Sequence, residues 1–331
     1  MTKLFAAFAV LFTIAVSTPS FAQQPTSVNP TALSVKEEQL LKALNPGQTI
    51  QGRISIPDAN AANVIAPGNQ NWRAVHQGIM QWVGALSILG IAGGLMLFYL
   101  KKGKIRISKG ASGKTLTRFS GLERFTHWLT ASTFLVLAAS GVNVTFGKFI
   151  IQPWLGDAMF GPWSQFAKFS HNYLSFPFML GIALMLVLWL KDNVPNRLDI
   201  AWFKAGGGLL GDAHPPAARF NGGQKIVFWM VMVGGGALTI SGLFLLFPFT
   251  WTGLEGLQLS NIIHGVVGLV MIGAMLAHIY IGSVGMEGAF DAMGSGEVDL
   301  NWAKEHHSIW ADEELKKRTG IVTSGTLKAA E

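Results

Sequence analysis

Histidine is the residue type that can carry chemistry in this sequence. Of eight histidines, four stand at the ends of long apolar runs: His127, His171, His264 and His278. An ionisable side chain at membrane depth is costly and needs a reason. The chain has no cysteine, which excludes disulfides, thiolate-held iron–sulfur clusters and haem attached through C-x-x-C-H. With no thiolate, a metal held at the depth of these four residues would rest on imidazole. His264 and His278 are 14 residues apart, which on one helix is a rise of about 21 Å and about 40° short of a whole number of turns. Both rings then face nearly the same way, one near each end of a single span. In alternating spans His171 lies at the depth of His264 and His127 at the depth of His278. Two histidines at each depth are the ligand set of two bis-histidine haems. Zinc is the poorer fit, because each level offers two imidazoles and the apolar runs supply no carboxylate or thiol to complete a site. The plainer alternative stays open: a histidine near a span end is commonly a hydrogen-bonded interfacial residue.

The elements that must position these rings are membrane helices. Half of the 331 residues are hydrophobic and 13% are charged, where a soluble domain carries roughly a quarter charged residues. Five apolar runs, at 79–100, 127–147, 171–190, 225–247 and 261–282, are each close to the ~20 residues that cross a bilayer as a helix. Lipid-exposed strands would leave backbone groups unpaired. The connection 101–126 holds eight Lys and Arg against the single Glu123, and 191–224 adds Lys191, Arg197, Lys204 and Arg219. Basic connections stay on the cytoplasmic side, so these two and the tail from 283 are expected inside. The net charge of +7 then reads as an orientation signal and not as a nucleic-acid footprint.

Residues 1–22 read as a cleaved secretory signal, with Lys3, the apolar stretch Leu4 to Val16 and the small-residue exit Ser20-Phe21-Ala22. Residues 23–78 are expected as a periplasmic segment, 79–100 as an extra span, 101–126 as a basic cytoplasmic loop, 127–282 as a four-helix core and 283–331 as a cytoplasmic tail. Both signals place the amino terminus outside and the carboxyl terminus inside a bacterial inner membrane. His76, beside Trp72 and Trp82, reads as an aromatic-belt residue. His214, His306 and His307 read as aqueous loop or interface residues. Gly141, Gly181, Gly265 and Gly268 could make room for a flat macrocycle, though glycine in spans also serves close helix packing.

A second polar feature, Arg219-Phe220-Asn221-Gly222-Gly223-Gln224-Lys225, opens the fourth span. As residues alone it is better read as an Asn N-cap with a glycine entry. Its other reading is a quinone pocket, in which Asn221 and Gln224 donate hydrogen bonds to a carbonyl while the glycines let a ring approach the backbone.

Several motifs together resemble the gamma subunit, or cytochrome b556, of respiratory formate dehydrogenase. They are Arg124-Phe125-Thr126-His127-Trp128, the loop from Asn193 to Ile200, Phe220 to Lys225, Ile263-His264-Gly265, His278-Ile279-Tyr280 and the stretch from Trp302 to His307. The resemblance runs from Arg118 to Trp310. It implies an all-α membrane protein, a four-helix di-haem cytochrome b bundle with one extra N-terminal transmembrane helix. It implies two haem b groups, with His171 and His264 on the outer one and His127 and His278 on the inner one. A menaquinone or ubiquinone site near the inner haem is also implied, with Asn221, Gly223 and Gln224 matching the quinone-contacting stretch. The implied partners are an iron–sulfur beta subunit and a molybdenum- or tungsten-dependent catalytic alpha subunit, alongside lipid and quinone. Formate chemistry cannot belong to this chain, which would conduct electrons inward from periplasmic partners to quinone. The alternatives are a di-haem cytochrome b serving another periplasmic dehydrogenase, such as a hydrogenase, and a haem-free anchor or transporter. The signal peptide, the external segment and the extra span depart from the four-span members.

Overall fold

The computed structural model describes residues 74–208 and 214–328. The signal peptide expected over 1–22, and the periplasmic segment up to residue 73, lie outside the described residues. Among the described residues, five helices are long and apolar enough to cross a membrane: α1 (Met80–Lys102), α2 (Gly121–Ile150), α3 (Gln152–Trp189), α5 (Gly222–Leu246) and α6, whose spanning stretch is Leu254–Gly285. Between α3 and α5 lies a short helix, α4 (Arg197–Lys204). Large apolar side chains stay exposed along the spans, Val187 at 81% and Val233 at 68%. Such surface suits hydrocarbon and not water.

The helices are longer than the apolar runs, for local reasons. Helix α2 begins six residues before His127 because Ser120 and Glu123 form a capping box, each side chain accepting the other's backbone N–H. At the other end only Ile151 separates α2 from α3. The stretch between the second and third apolar runs, 148–170, is therefore mostly helical. Gly156 breaks α3 with a φ of +71°, a conformation open to glycine at little cost. Helix α2 packs chiefly on α3, α5 on α6, and α3 on α5. The extra helix α1 lies on α6. A Cβ at Gly273 would run into the backbone of Ser87, and one at Gly265 would meet the Met80 methyl at 2.7 Å. Both glycines thus serve helix packing.

One end of the bundle is capped. Strands β1 (Thr115–Thr117) and β2 (Glu297–Asp299) pair antiparallel, with Leu116 opposite Val298, and helices α7 (Leu300–His306) and α8 (Ser308–Lys328) follow. Leu116, Phe119, Trp189, Phe220, Phe228, Val298, Trp302 and Trp310 bury together there, joining the 103–120 connection, the end of α3, the start of α5 and the chain after α6. The stretch expected as a tail from 283 is thus in large part folded onto the bundle. Three-residue strands carry too little pattern to be read from sequence.

Candidate functional site

The four span histidines meet as two pairs. At the end of the bundle away from the cap, His171 of α3 and His264 of α6 have ring centroids 5.9 Å apart. At the capped end, His127 of α2 and His278 of α6 are 6.1 Å apart. Helix α6 supplies one ring to each pair, as the 14-residue spacing requires. A metal bonded to one nitrogen of each ring at about 2 Å, with each ring centre about 1.1 Å behind its nitrogen, separates the centroids by about 6.2 Å. At these distances His171 with His264, and His127 with His278, would each be able to hold one metal ion between them.

Each ring of the far pair has a serine hydroxyl at Nδ1. Ser140 Oγ is 2.9 Å from His171 Nδ1, and Ser241 Oγ is 3.0 Å from His264 Nδ1. Each serine has one proton to give. Ser140 donates it to Val136 O at 2.7 Å, and Ser241 donates to Ala237 O at 2.6 Å. With the serine protons so placed, the serine oxygens can accept from Nδ1–H, a tautomer that would leave Nε2 of both rings free to bind metal. Glycine follows serine in both places. A Cβ at Gly141 would stand 3.4 Å from His171 Cε1, and one at Gly242 would stand 3.1 Å from His264 Cε1. The dipeptide Ser140-Gly141 on α2 faces α3, and Ser241-Gly242 on α5 faces α6. This repeated Ser-Gly unit was present in the sequence, but only Gly141 drew attention there. Gly181 instead admits Thr130, and Gly268 meets only Leu238 at 3.8 Å.

The near pair is built differently. His127 Nδ1 is buried and has no hydrogen-bond partner among the described residues. Its ring stands edge-on to Trp128 at 5.2 Å, and Trp128 Nε1 donates to Met293 O at 2.9 Å, which ties this pair to the cap.

The Asn221 stretch forms a capping box. Asn221 Oδ1 accepts from Gln224 N at 3.0 Å and Gln224 Oε1 accepts from Asn221 N at 3.2 Å. Gly223 leaves room for Trp202, whose Cη2 a Cβ would meet at 2.6 Å. The cap occupies the side-chain oxygens, so Asn221 Nδ2 and Gln224 Nε2 remain as donors. A shallow crease beside Asn221, lined also by Trp202, Pro216 and Phe220, is too tight to admit a water molecule.

Around this box runs a polar belt that sequence reading missed. Arg219 bridges Glu123 at 2.7 Å and Asp192 at 2.9 Å, while Lys225 Nζ reaches Asp199 at 3.0 Å. Asn193 is fully buried and donates to Trp189 O at 2.8 Å, and Asn196 caps α4. The loop from Asn193 to Ile200 is thus a structural clasp. Arg118 is buried among Phe119, Trp302 and Trp310. Its Nη2 donates to Arg219 O at 2.7 Å and to His307 Nε2 at 3.0 Å, and Nε and Nη1 have no partner among the described residues. Burial and then the Arg219 charge push Arg118 down to about 9. His307, expected as an aqueous residue, is fully buried. Its Nε2 accepts from Arg118, so Nδ1–H donates to Ala218 O at 2.9 Å, and burial followed by the Arg118 charge holds it well below the usual histidine range. Its two partners lie 89 and 189 residues away in sequence, which no local pattern reveals.

Comparisons with known proteins find named relatives of this chain. The cytochrome b556(Fdn) subunit of nitrate-inducible formate dehydrogenase from Escherichia coli K12 is 27% identical over 208 residues, covering 61% of this chain and 93% of that subunit. The cytochrome b556(fdo) subunit of formate dehydrogenase from the same strain is 29% identical, covering 62% and 95%. The formate dehydrogenase cytochrome b556 subunit of Haemophilus influenzae is 25% identical, covering 58% and 80%. Residues 118–296 match the prokaryotic cytochrome b561 family, a stretch that holds all four paired histidines and the Asn221 capping box. More than half of the chain lies in that match, and the chain belongs to the prokaryotic cytochrome b561 family, a family of helical membrane cytochromes b.

Proposed function

We propose that this chain is the membrane electron-transfer subunit of a formate dehydrogenase complex, conducting electrons from an iron–sulfur partner at the far end to quinone at the capped end. The observation that carries this reading is the presence of two imidazole pairs, 5.9 and 6.1 Å apart, joined by one helix. Haem b, the group this family implies, supplies a one-electron carrier when bound. His171 and His264 would hold one haem and His127 and His278 the other. Ser140 and Ser241 keep the Nδ1 protons of the far pair in place, so that Nε2 stays a lone-pair donor. Asn221 Nδ2 and Gln224 Nε2 are the donors for a quinone carbonyl, and Gly223 belongs to the same turn. The arginines and lysines from 101 to 124 lie at the capped end, which supports a cytoplasmic cap, a periplasmic far end and protons drawn from the cytoplasm. The partners would be a catalytic alpha subunit and an iron–sulfur beta subunit, a reading supported by relatives named as subunits of formate dehydrogenase. A second reading, favoured by the breadth of the matched family, is service to another periplasmic dehydrogenase such as a hydrogenase.

The test is optical. The purified chain reduced with dithionite should show a b-type absorption band, and an added quinone should reoxidise it. A spectrum without that band would remove the reading, and a band untouched by menaquinone or ubiquinone analogues would remove its quinone half. Copurification of a formate-oxidising subunit separates the first partner from the second.

A further inference from the structure

The capped end holds a second group of imidazoles that no electron path uses. We propose that His214, Glu305 and His306 form a binding site for a divalent transition-metal ion, of the kind zinc fills. One ligand atom from each of the three lies within 4.8 Å of the other two. His214 Nε2 is 3.3 Å from Glu305 Oε1, His306 Nε2 is 3.8 Å from that same oxygen, and the two ring centroids are 5.4 Å apart. A tetrahedral ion bonded at about 2.0–2.1 Å holds its donors about 3.4 Å from one another.

The carboxylate is placed as a metal ligand is placed. Its Oε2 accepts the Ser108 backbone N–H at 2.9 Å, which fixes the orientation of the group. Its Oε1 is buried and takes no hydrogen bond among the described residues, although two imidazole nitrogens stand beside it. An Oε1 that served only the histidines would accept a proton from at least one of them. The His306 ring is braced against Trp302 at 5.2 Å, and Glu305 and His306 both belong to the last turn of α7. His214 comes from the distant connection ahead of Pro215-Pro216. Two imidazoles and one carboxylate suit zinc and its first-row neighbours, whereas magnesium and calcium prefer oxygen donors alone. Three protein ligands leave a fourth position for water. A bound ion would tie the His214 segment to α7 and, through the Ser108 contact, to the connection after α1. None of the four span histidines takes part, so this site stands or falls independently of the electron-transfer reading.

The experiment uses the full-length chain in detergent, stripped with EDTA and dialysed against micromolar zinc chloride with millimolar magnesium. Elemental analysis should find one zinc per chain and no retained magnesium. His214→Ala and Glu305→Gln should each weaken zinc binding at least tenfold while leaving the visible spectrum unchanged. Zinc K-edge absorption of the wild-type chain should show two imidazoles and oxygen in the ion's shell, a readout that stands even if a variant folds poorly. Absence of stoichiometric zinc, zinc retained by both variants, or a shell without two imidazoles would each overturn the proposal.

Discussion

At the far end of the bundle both imidazoles are anchored by a serine that has already committed its own proton to a helix carbonyl, and a glycine beside each serine gives the ring space. At the capped end the His127 nitrogen that would need such an anchor is buried without one among the described residues, while the protein around it is elaborate: a two-stranded sheet, buried tryptophans and a belt of ion pairs. The far pair is fixed by its immediate neighbours on α2 and α5, the near pair by the cap that holds Trp128 against Met293. Under the proposed function the far carrier would pass electrons alone, for which a rigid anchor suffices, and the near one would also serve quinone and its protons, for which the capped end supplies polar groups.

The comparison breaks most simply if the two pairs are not separate. His264→Ala should remove one haem and leave the other's absorbance, and His278→Ala should do the reverse. Each should halve the haem content measured by pyridine haemochromogen, and loss of both haems from either variant would mean one shared site. A smaller effect is expected from Gly242→Val, because a side chain there crowds His264 Cε1. It should lower occupancy at the far end alone, whereas Gly236→Val on the same helix, with open space beside it, should leave both haems loaded. At the capped end, Asn221→Ala removes a capping residue worth about 1 kcal/mol. It should slow quinone reduction with haem content preserved, as should Gln224→Ala; unaltered quinone kinetics in both would return the segment to a helix cap. The smallest effect belongs to Ser241→Ala. Its hydrogen bond is worth about 1 kcal/mol, or about 40 mV for a one-electron couple. The Leu238 backbone is also within reach of His264, so the rise in the far-end midpoint potential should stay below that figure, and the near-end potential should not move.

Much of this design was legible in the sequence, and what was not shares a cause. Four histidines at two depths, and the five spans, follow from hydrophobic run length and helical rise, which are local quantities. The pairing of His264 with His171 and of His278 with His127 needed only the alternation of spans. The cap was not legible, because Leu116 and Val298 meet across 182 residues through strands of three residues each. His307 looked like an aqueous residue because polar neighbours surround it in sequence, while Trp302, Trp310 and Arg118 surround it in space. The helical extent of 148–170 was not legible either, because polar residues interrupt its apolar pattern and the helix carries Pro162 after the break at Gly156. The serine anchors could have been found: Ser-Gly occurs at the matching place in the helix ahead of each far-end histidine, and a search for short repeats across the spans would have paired them.

The central claim is that one helix carries a ligand to each of two haems. Its most direct test is to count haem b per chain in the purified wild-type protein by pyridine haemochromogen, with electron paramagnetic resonance of the oxidised form to read the axial ligands. The account predicts two haems per chain, both low-spin with two imidazoles. A count of one, or a haem with only one histidine, would contradict it.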